Sequence, residues 1–332
     1  MKILITGASG FIGSALIDRL ANRREVEPWG ATRYAAPPDV AHKRCHWIKV
    51  NWDDARSVCE MARGKDIVFH IAGEITARHW SQFHRSNVAN TEQLFRACLK
   101  EKVQKFVFMS SISAAGPLRD AAVLDESMRP CPNGLYGLSK LKAEKRLTEL
   151  KENSNIQLYL IRAPVVYGPG QNPLFSKILK KALGGKLFFI GKGNNLRSLC
   201  FIENLVDIFE RIALEQINAE GLYYVADKEI FSMNEFADII SRIAGIRIKI
   251  KRLPKFLSII NDSLHCLLMV LGVHSPELFA VKAMYSNVAC KIEKASRLLA
   301  YNPRYSLFDG LKITIDWLEK INSANTQSKD SP

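Results

Sequence analysis

Lys2-Ile3-Leu4-Ile5-Thr6-Gly7-Ala8-Ser9-Gly10-Phe11-Ile12-Gly13 decides the fold. A short apolar run enters a glycine loop, and apolar residues at helical spacing follow it (Phe11, Ala15, Leu16, Leu20). The pattern predicts a strand, a turn and a helix. Gly7 permits the tight turn, Gly10 lets the backbone approach a pyrophosphate, and Gly13 lets the helix pack closely on the strand. The amide end of the helix then faces the phosphates, with Ser9, Phe11 and Ile12 around them. The opening run is short and lacks a small-residue cleavage site, so it reads as a first strand and not as a signal peptide.

Further apolar runs at 26–32, 46–50, 67–72, 105–110 and 157–162 alternate with helical patterns such as 81–102 and 135–152. This alternation predicts an α/β fold, a Rossmann-type doubly wound parallel sheet with its ligand at the carboxyl ends of the strands. The rhythm shortens near Tyr167-Gly168-Pro169-Gly170, where proline and glycine become frequent. The expected organisation is a dinucleotide-binding domain over 1–165 and a smaller substrate-binding region over 166–321. The two are partly interleaved, with one later strand returning to the main sheet. A polar, disordered tail is expected over 322–332.

The 332 residues are 47% hydrophobic and 24% charged, which suits a soluble enzyme. No uncharged apolar run is long enough to predict a spanning helix. Seven scattered cysteines without a C-x-x-C pair suit the reduced thiols of a cytoplasmic protein and predict no metal site. The net charge of +14 favours anionic partners: dinucleotides, sugar nucleotides or a lipid headgroup surface. The basic residues do not form one block with interleaved aromatics, so nucleic acid is not expected.

The second strand ends in Gly30-Ala31-Thr32-Arg33, with no acid to bond a ribose 2′-hydroxyl. The guanidinium fork of Arg33 suits a 2′-phosphate, so NADP is favoured over NAD. Tyr136-Gly137-Leu138-Ser139-Lys140 puts a phenol and an ammonium four residues apart, on one helix face. The cation and a nicotinamide ring are expected to lower the phenol pKa and fit Tyr136 for general acid/base work. Ser110-Ser111-Ile112-Ser113-Ala114-Ala115-Gly116-Pro117 closes the fifth strand, where a hydroxyl can hold the substrate oxygen that Tyr136 protonates.

Several segments join these: Phe69-His70-Ile71-Ala72-Gly73, Asn87-Val88 followed by Thr91, and Arg162-Ala163-Pro164-Val165-Val166-Tyr167-Gly168-Pro169-Gly170. Together they make the chain resemble, over nearly its whole length, the extended short-chain dehydrogenases/reductases, which include the NAD-dependent epimerase/dehydratase family. The resemblance implies Ser111, Tyr136 and Lys140 as catalytic residues. It implies Ile71, Ala72, Gly73, Asn87, Tyr136, Lys140, Pro164 and Val166 as cofactor contacts. Adenine contact maps to Asn51 and Trp52, where the family usually has an acid and a leucine. Asn90 replaces the family's usual glycine before Thr91.

Dehydratases of the family place acids directly after the catalytic hydroxyl, where this chain has Ile112 and Ser113. The chemistry implied is therefore reduction, oxidation or epimerisation. Ala115 replaces a tyrosine common in sugar epimerases. Residues 167–206 are similar to sugar-nucleotide epimerases and 4-ketoreductases of surface-polysaccharide pathways. This implies a nucleotide-sugar substrate with Ser113 and Asn172 beside it and Arg197 on its diphosphate. Two alternatives stand beside this one. The first is a 3β-hydroxysteroid or other lipid-alcohol dehydrogenase, which the Ser111 loop and Leu299-Ala300-Tyr301-Asn302-Pro303 also resemble. The second is a catalytically silent dinucleotide-binding protein. The apolar stretch 256–271 is expected to be a buried core or dimer helix. Its other options are a substrate-pocket wall or peripheral membrane contact beside Lys249, Lys251, Arg252 and Lys255. The resemblance also implies a homodimer formed through helices 81–102 and 135–152.

Overall fold

The opening run forms β1 (Lys2–Thr6), whose side chains alternate between two cores. Ile3 and Ile5 enter one and Leu4 the other, all fully buried. The computed structural model describes residues 1–33, 44–117, 123–132, 134–170, 173–215 and 217–327. After β1 come α1 (Phe11–Ala21), β2 (Glu27–Thr32), β3 (His46–Lys49), α2 (Ala55–Ala62), β4 (Ile67–His70), α3 (Trp80–Phe83), α4 (Asn90–Lys100), β5 (Lys105–Ser111), α5 (Gly134–Lys151) and β6 (Gln157–Ala163). The later elements are β7 (Val165–Tyr167), α6 (Pro173–Leu183), β8 (Lys186–Ile190), β9 (Leu196–Arg197), β10 (Leu199–Phe201), α7 (Ile202–Leu214), β11 (Gly221–Tyr224), β12 (Phe231–Ser232), α8 (Met233–Ala244), β13 (Lys249–Leu253), α9 (Phe256–Val270), α10 (Pro276–Ala283), α11 (Glu293–Leu298) and α12 (Leu307–Gln327).

Seven strands make one parallel sheet in the order β11-β6-β5-β4-β1-β2-β3. The fold is the expected Rossmann-type α/β architecture, and its seventh strand, β11, comes from the C-terminal half. The chain winds outward from β1 to β3 and then crosses to β4 on the other side. The switch point therefore lies between β1 and β4, where Thr6 pairs with His70, and the crevice opens beyond these two residues. One core runs from α1 and the sheet into α6, α7, α8 and α12, so the C-terminal elements share it.

Three sequence expectations are corrected. The helix at 81–102 is not continuous: α3 and α4 are joined by a π-helical turn, His84–Ala89. The tail expected from residue 322 continues α12 as far as Gln327. The stretch 256–271 is no core helix. α9 buries Ser258, Asn261 and His265 and exposes its apolar side chains. All seven cysteines are free thiols. Among the described residues no helix is long and apolar enough to cross a membrane.

Candidate active site

The loop between β1 and α1 is built by close backbone approach. Gly7 lies in the left-handed region at φ +68°, and a Cβ there would stand 2.8 Å from Ala72 N. A Cβ on Gly13 would stand 2.2 Å from the Gly7 carbonyl oxygen, so α1 can sit on the loop only without a side chain at that position. Gly10 N donates to Gly7 O at 3.0 Å. α1 starts at Phe11 with no side-chain cap and no acid in its first turn, which leaves its positive end open to an anion. These features fit a dinucleotide pyrophosphate. Ser9, Phe11 and Ile12 are all partly exposed around this turn.

At the far end of the crevice, Thr32 is buried and Arg33 is exposed directly after β2. Asn51 follows β3, and its side-chain oxygen accepts from Asp53 N at 3.1 Å. Trp52 tilts against His70 at 6.0 Å between ring centroids. Ile71, Ala72 and Gly73 leave β4 across the phosphate loop. A Cβ on Gly73 would lie 3.1 Å from Lys140 Nζ and 3.2 Å from Asn87 Oδ1, so the glycine brings the backbone against the candidate catalytic lysine.

A buried chain of hydrogen bonds ties these loops together. Ala72 N donates to Thr6 Oγ1 at 3.2 Å, and Thr6 Oγ1 lies 2.7 Å from His70 Nδ1. His70 Nε2 lies 2.8 Å from Thr91 Oγ1, which donates to Asn87 O at 2.8 Å. Because Thr91 spends its proton on Asn87, it accepts from His70 Nε2–H, and with the ring neutral Thr6 donates to Nδ1. The imidazole is neutral at physiological pH. Burial first, and the Lys140 charge second, push its pKa down to about 3. The π-helical turn aims Asn87 inward. Its Oδ1 accepts from Glu74 N at 2.7 Å, and its Nδ2 donates to Glu74 O and Ser139 Oγ, each at 2.9 Å.

Ser111, at the end of β5, and Tyr136, on the first turn of α5, are brought together, and their hydroxyls share a hydrogen bond. Ser111 Oγ also accepts from Ser113 N at 3.1 Å. Lys140 is buried one turn further along α5. Its Nζ donates to Met109 O at 2.8 Å and sits 4.7 Å from the Phe108 ring centroid. Burial lowers the ammonium pKa to about 8, against a smaller opposing pull from Glu144. The Tyr136 phenol departs from expectation. Burial pushes its pKa up to about 12, and only the Ser111 hydrogen bond opposes this. In the resting site desolvation outweighs any help from the neighbouring cation.

Glu144, four residues after Lys140, anchors this helix. It accepts from Arg162 Nε at 2.9 Å and Nη2 at 2.6 Å, and from the Ser110 hydroxyl. Arg162 Nη1 donates to Tyr224 OH at 3.1 Å. This buried cluster fixes α5 to β5, β6 and β11, and so sets Tyr136 and Lys140 against Ser111. Sequence reasoning missed Glu144, and its i+4 spacing from Lys140 was the available signal. It also missed His265 and His274. Both are buried, and His265 Nε2 and His274 Nδ1 have no hydrogen-bond partner among the described residues. The His265 ring lies 3.2 Å from where a Cβ on Gly134 would be.

Pro164 is buried after β6 and Val166 is half-buried on β7, which pairs with β10. Arg197 ends β9, two residues before β10. Its Nη1 donates to Ser286 O at 3.5 Å, and no carboxylate pairs with it among the described residues. Burial lowers its guanidinium pKa to about 10. Ser113 is half-buried beside Ser111. Asn172 lies outside the described residues.

A glycine cradle at the switch point, with serine, tyrosine and lysine at the carboxyl end of β5 and on α5, defines a nicotinamide-dinucleotide enzyme of the extended short-chain type. The model of the NAD dependent epimerase/dehydratase family matches residues 3–226, and the chain belongs to that family. It is an NAD(P)-dependent oxidoreductase or epimerase. It is 28% identical to an uncharacterized UDP-glucose epimerase of Bacillus subtilis, over 97% of this chain and 99% of the relative. It is 26% identical to a 3-beta-hydroxysteroid dehydrogenase of Mycolicibacterium neoaurum, over 92% and 88% of the two chains. The solved UDP-glucuronic acid 4-epimerase of Bacillus cereus, in complex with NAD, has the same fold. It superimposes with a TM-score of 0.77 at 24% identity, over 97% of this chain and 99% of that one.

Proposed function

We propose that this enzyme reduces or epimerises C4 of a nucleotide sugar. Arg197 carries the reading: a half-buried guanidinium two residues before β10, without a carboxylate partner among the described residues. A diphosphate supplies the missing charge and bidentate acceptors. The relatives named for UDP-sugars support the same substrate class.

In this reading Gly7, Gly10 and Gly13 hold the pyrophosphate and Arg33 the ribose 2′-phosphate, so NADP is the preferred form. The bound nicotinamide supplies the site for hydride transfer. Ser111 holds the substrate oxygen, and Tyr136 exchanges its proton. A phenol held near 12 is protonated at neutral pH, so Tyr136 rests as the acid that a keto reduction needs. Lys140, beside Gly73, sets a cation where the phenolate develops.

Thermal shift with a panel of UDP-sugars, in the presence of NADPH or NADH, tests the substrate class. The Tm rises with at least one sugar, and Arg197→Ala removes the rise. No shift with any sugar refutes the reading, and turnover of hydroxysteroids instead selects the dehydrogenase that the mycobacterial relative suggests. Loss of NADPH preference in Arg33→Ala checks the 2′-phosphate contact.

A further inference from the structure

α9 is turned inside out. Along its 15 residues, Phe256, Ile259, Ile260, Leu264, Leu267 and Val270 recur at helical spacing and are between 44% and 80% exposed. The inward face is polar. Ser258 Oγ donates to Lys255 O at 2.7 Å, and Asn261 Nδ2 donates to Leu278 O at 3.2 Å and to the Tyr285 hydroxyl at 2.9 Å. The Asn261 bonds hold the helix against α10 in an orientation that leaves a stripe roughly 22 Å long exposed. An exposed apolar stripe of this length marks a contact surface.

The segment leading into the stripe is basic. β13 pairs with β8 in a register that sets Lys249 beside Lys186 and Lys251 beside Phe188, and all four are exposed. Arg252, within β13, and Lys255, just before α9, are exposed as well. Among the described residues none of these lysines forms an ion pair. Asp262, the single acid of α9, is paired with Lys282 at 3.1 Å. Apolar residues preceded by unpaired lysines suit an anionic lipid surface, where a helix lies in the interfacial plane with its apolar face in the acyl boundary. A second copy docked on the same stripe would bring two lysine-rich strands towards one interface.

We propose that α9, with the Lys186/Lys249/Lys251 face, docks this enzyme onto an anionic bilayer surface. On the inner side of the same helix Met269 packs in one cluster with Tyr136, Leu135 and Phe83, so the candidate site lies directly behind the docking face.

Flotation of the full chain with vesicles tests this independently of any sugar substrate. The protein floats with phosphatidylcholine vesicles containing phosphatidylglycerol, and much less with phosphatidylcholine alone. Ile259→Glu combined with Leu267→Glu lowers the bound fraction about tenfold or more, while Tm and dinucleotide binding stay unchanged. Lys251→Glu combined with Lys255→Glu weakens binding and blunts its dependence on salt. The proposal fails if the native chain stays unbound with anionic vesicles, or if the Ile259/Leu267 variant floats as well as the native chain. It fails equally if that variant converts a dimer to a monomer and neither form binds vesicles, which would make the stripe a subunit interface.

Discussion

Replacing Lys140 with methionine removes the candidate cation and keeps the volume of the stem. The native ammonium is 3% exposed, and burial takes its pKa from 10.5 to about 8. Below pH 8 the lysine is charged in both folded and unfolded chains, and the folded state bears the full cost of burying the charge. Between about 8 and 10.5 the unfolded chain binds the proton and the folded chain does not, so native stability rises with pH. At about 1.4 kcal/mol per pH unit the rise comes to about 3 kcal/mol. For a chain of this size that corresponds to about 4 °C in Tm. Lys140→Met has no such group, so its Tm relative to the native protein is highest near neutral pH. That difference shrinks by about 4 °C as pH rises through the window. Melting followed by circular dichroism across the window measures it, and taking the difference cancels the titration of cysteines and tyrosines common to both proteins. Turnover falls by about a hundredfold or more in the same variant. A Tm difference that does not change with pH would refute the reasoning, because it would mean that Lys140 is solvated in the native state.

Glu144→Gln leaves the Arg162 guanidinium buried without its carboxylate. It lowers stability by about 3–5 kcal/mol, read as a fall of several degrees in Tm, and an unchanged Tm would show that the pair contributes nothing. Gly13→Ala puts a methyl 2.2 Å from the Gly7 carbonyl oxygen, between two backbones that cannot both stay in place. Its affinity for NADPH and NADH, titrated by fluorescence, falls about a hundredfold or more; native affinity would show that the loop is not the phosphate cradle.

The sequence by itself determined the sheet and the positions of the candidate chemistry. β1, the glycine loop and α1 are local in the chain, and their signals are strand and helix periods and the steric freedom of glycine. Tyr136 and Lys140 are likewise one turn apart on a single helix, and Ser111 ends a strand that is legible from its own residues. What lies between elements was not legible. The buried Ser110–Glu144–Arg162–Tyr224 cluster joins residues far apart in the chain, and only the packing of α5 on β5, β6 and β11 brings them together. The same holds for the Thr6–His70–Thr91–Asn87 chain, which needs β1 and β4 paired in register and a π-helical turn at Asn87. The phenol pKa was read from a neighbouring charge, but desolvation decides it, and desolvation is a property of the whole surrounding fold. The apolar run at 256–271 shows the limit most clearly. Its composition predicts burial, yet α9 turns the other way because Ser258, Asn261 and His265 face the protein. Hydrophobicity is carried by the sequence, but the partner of each helix face is chosen by tertiary structure.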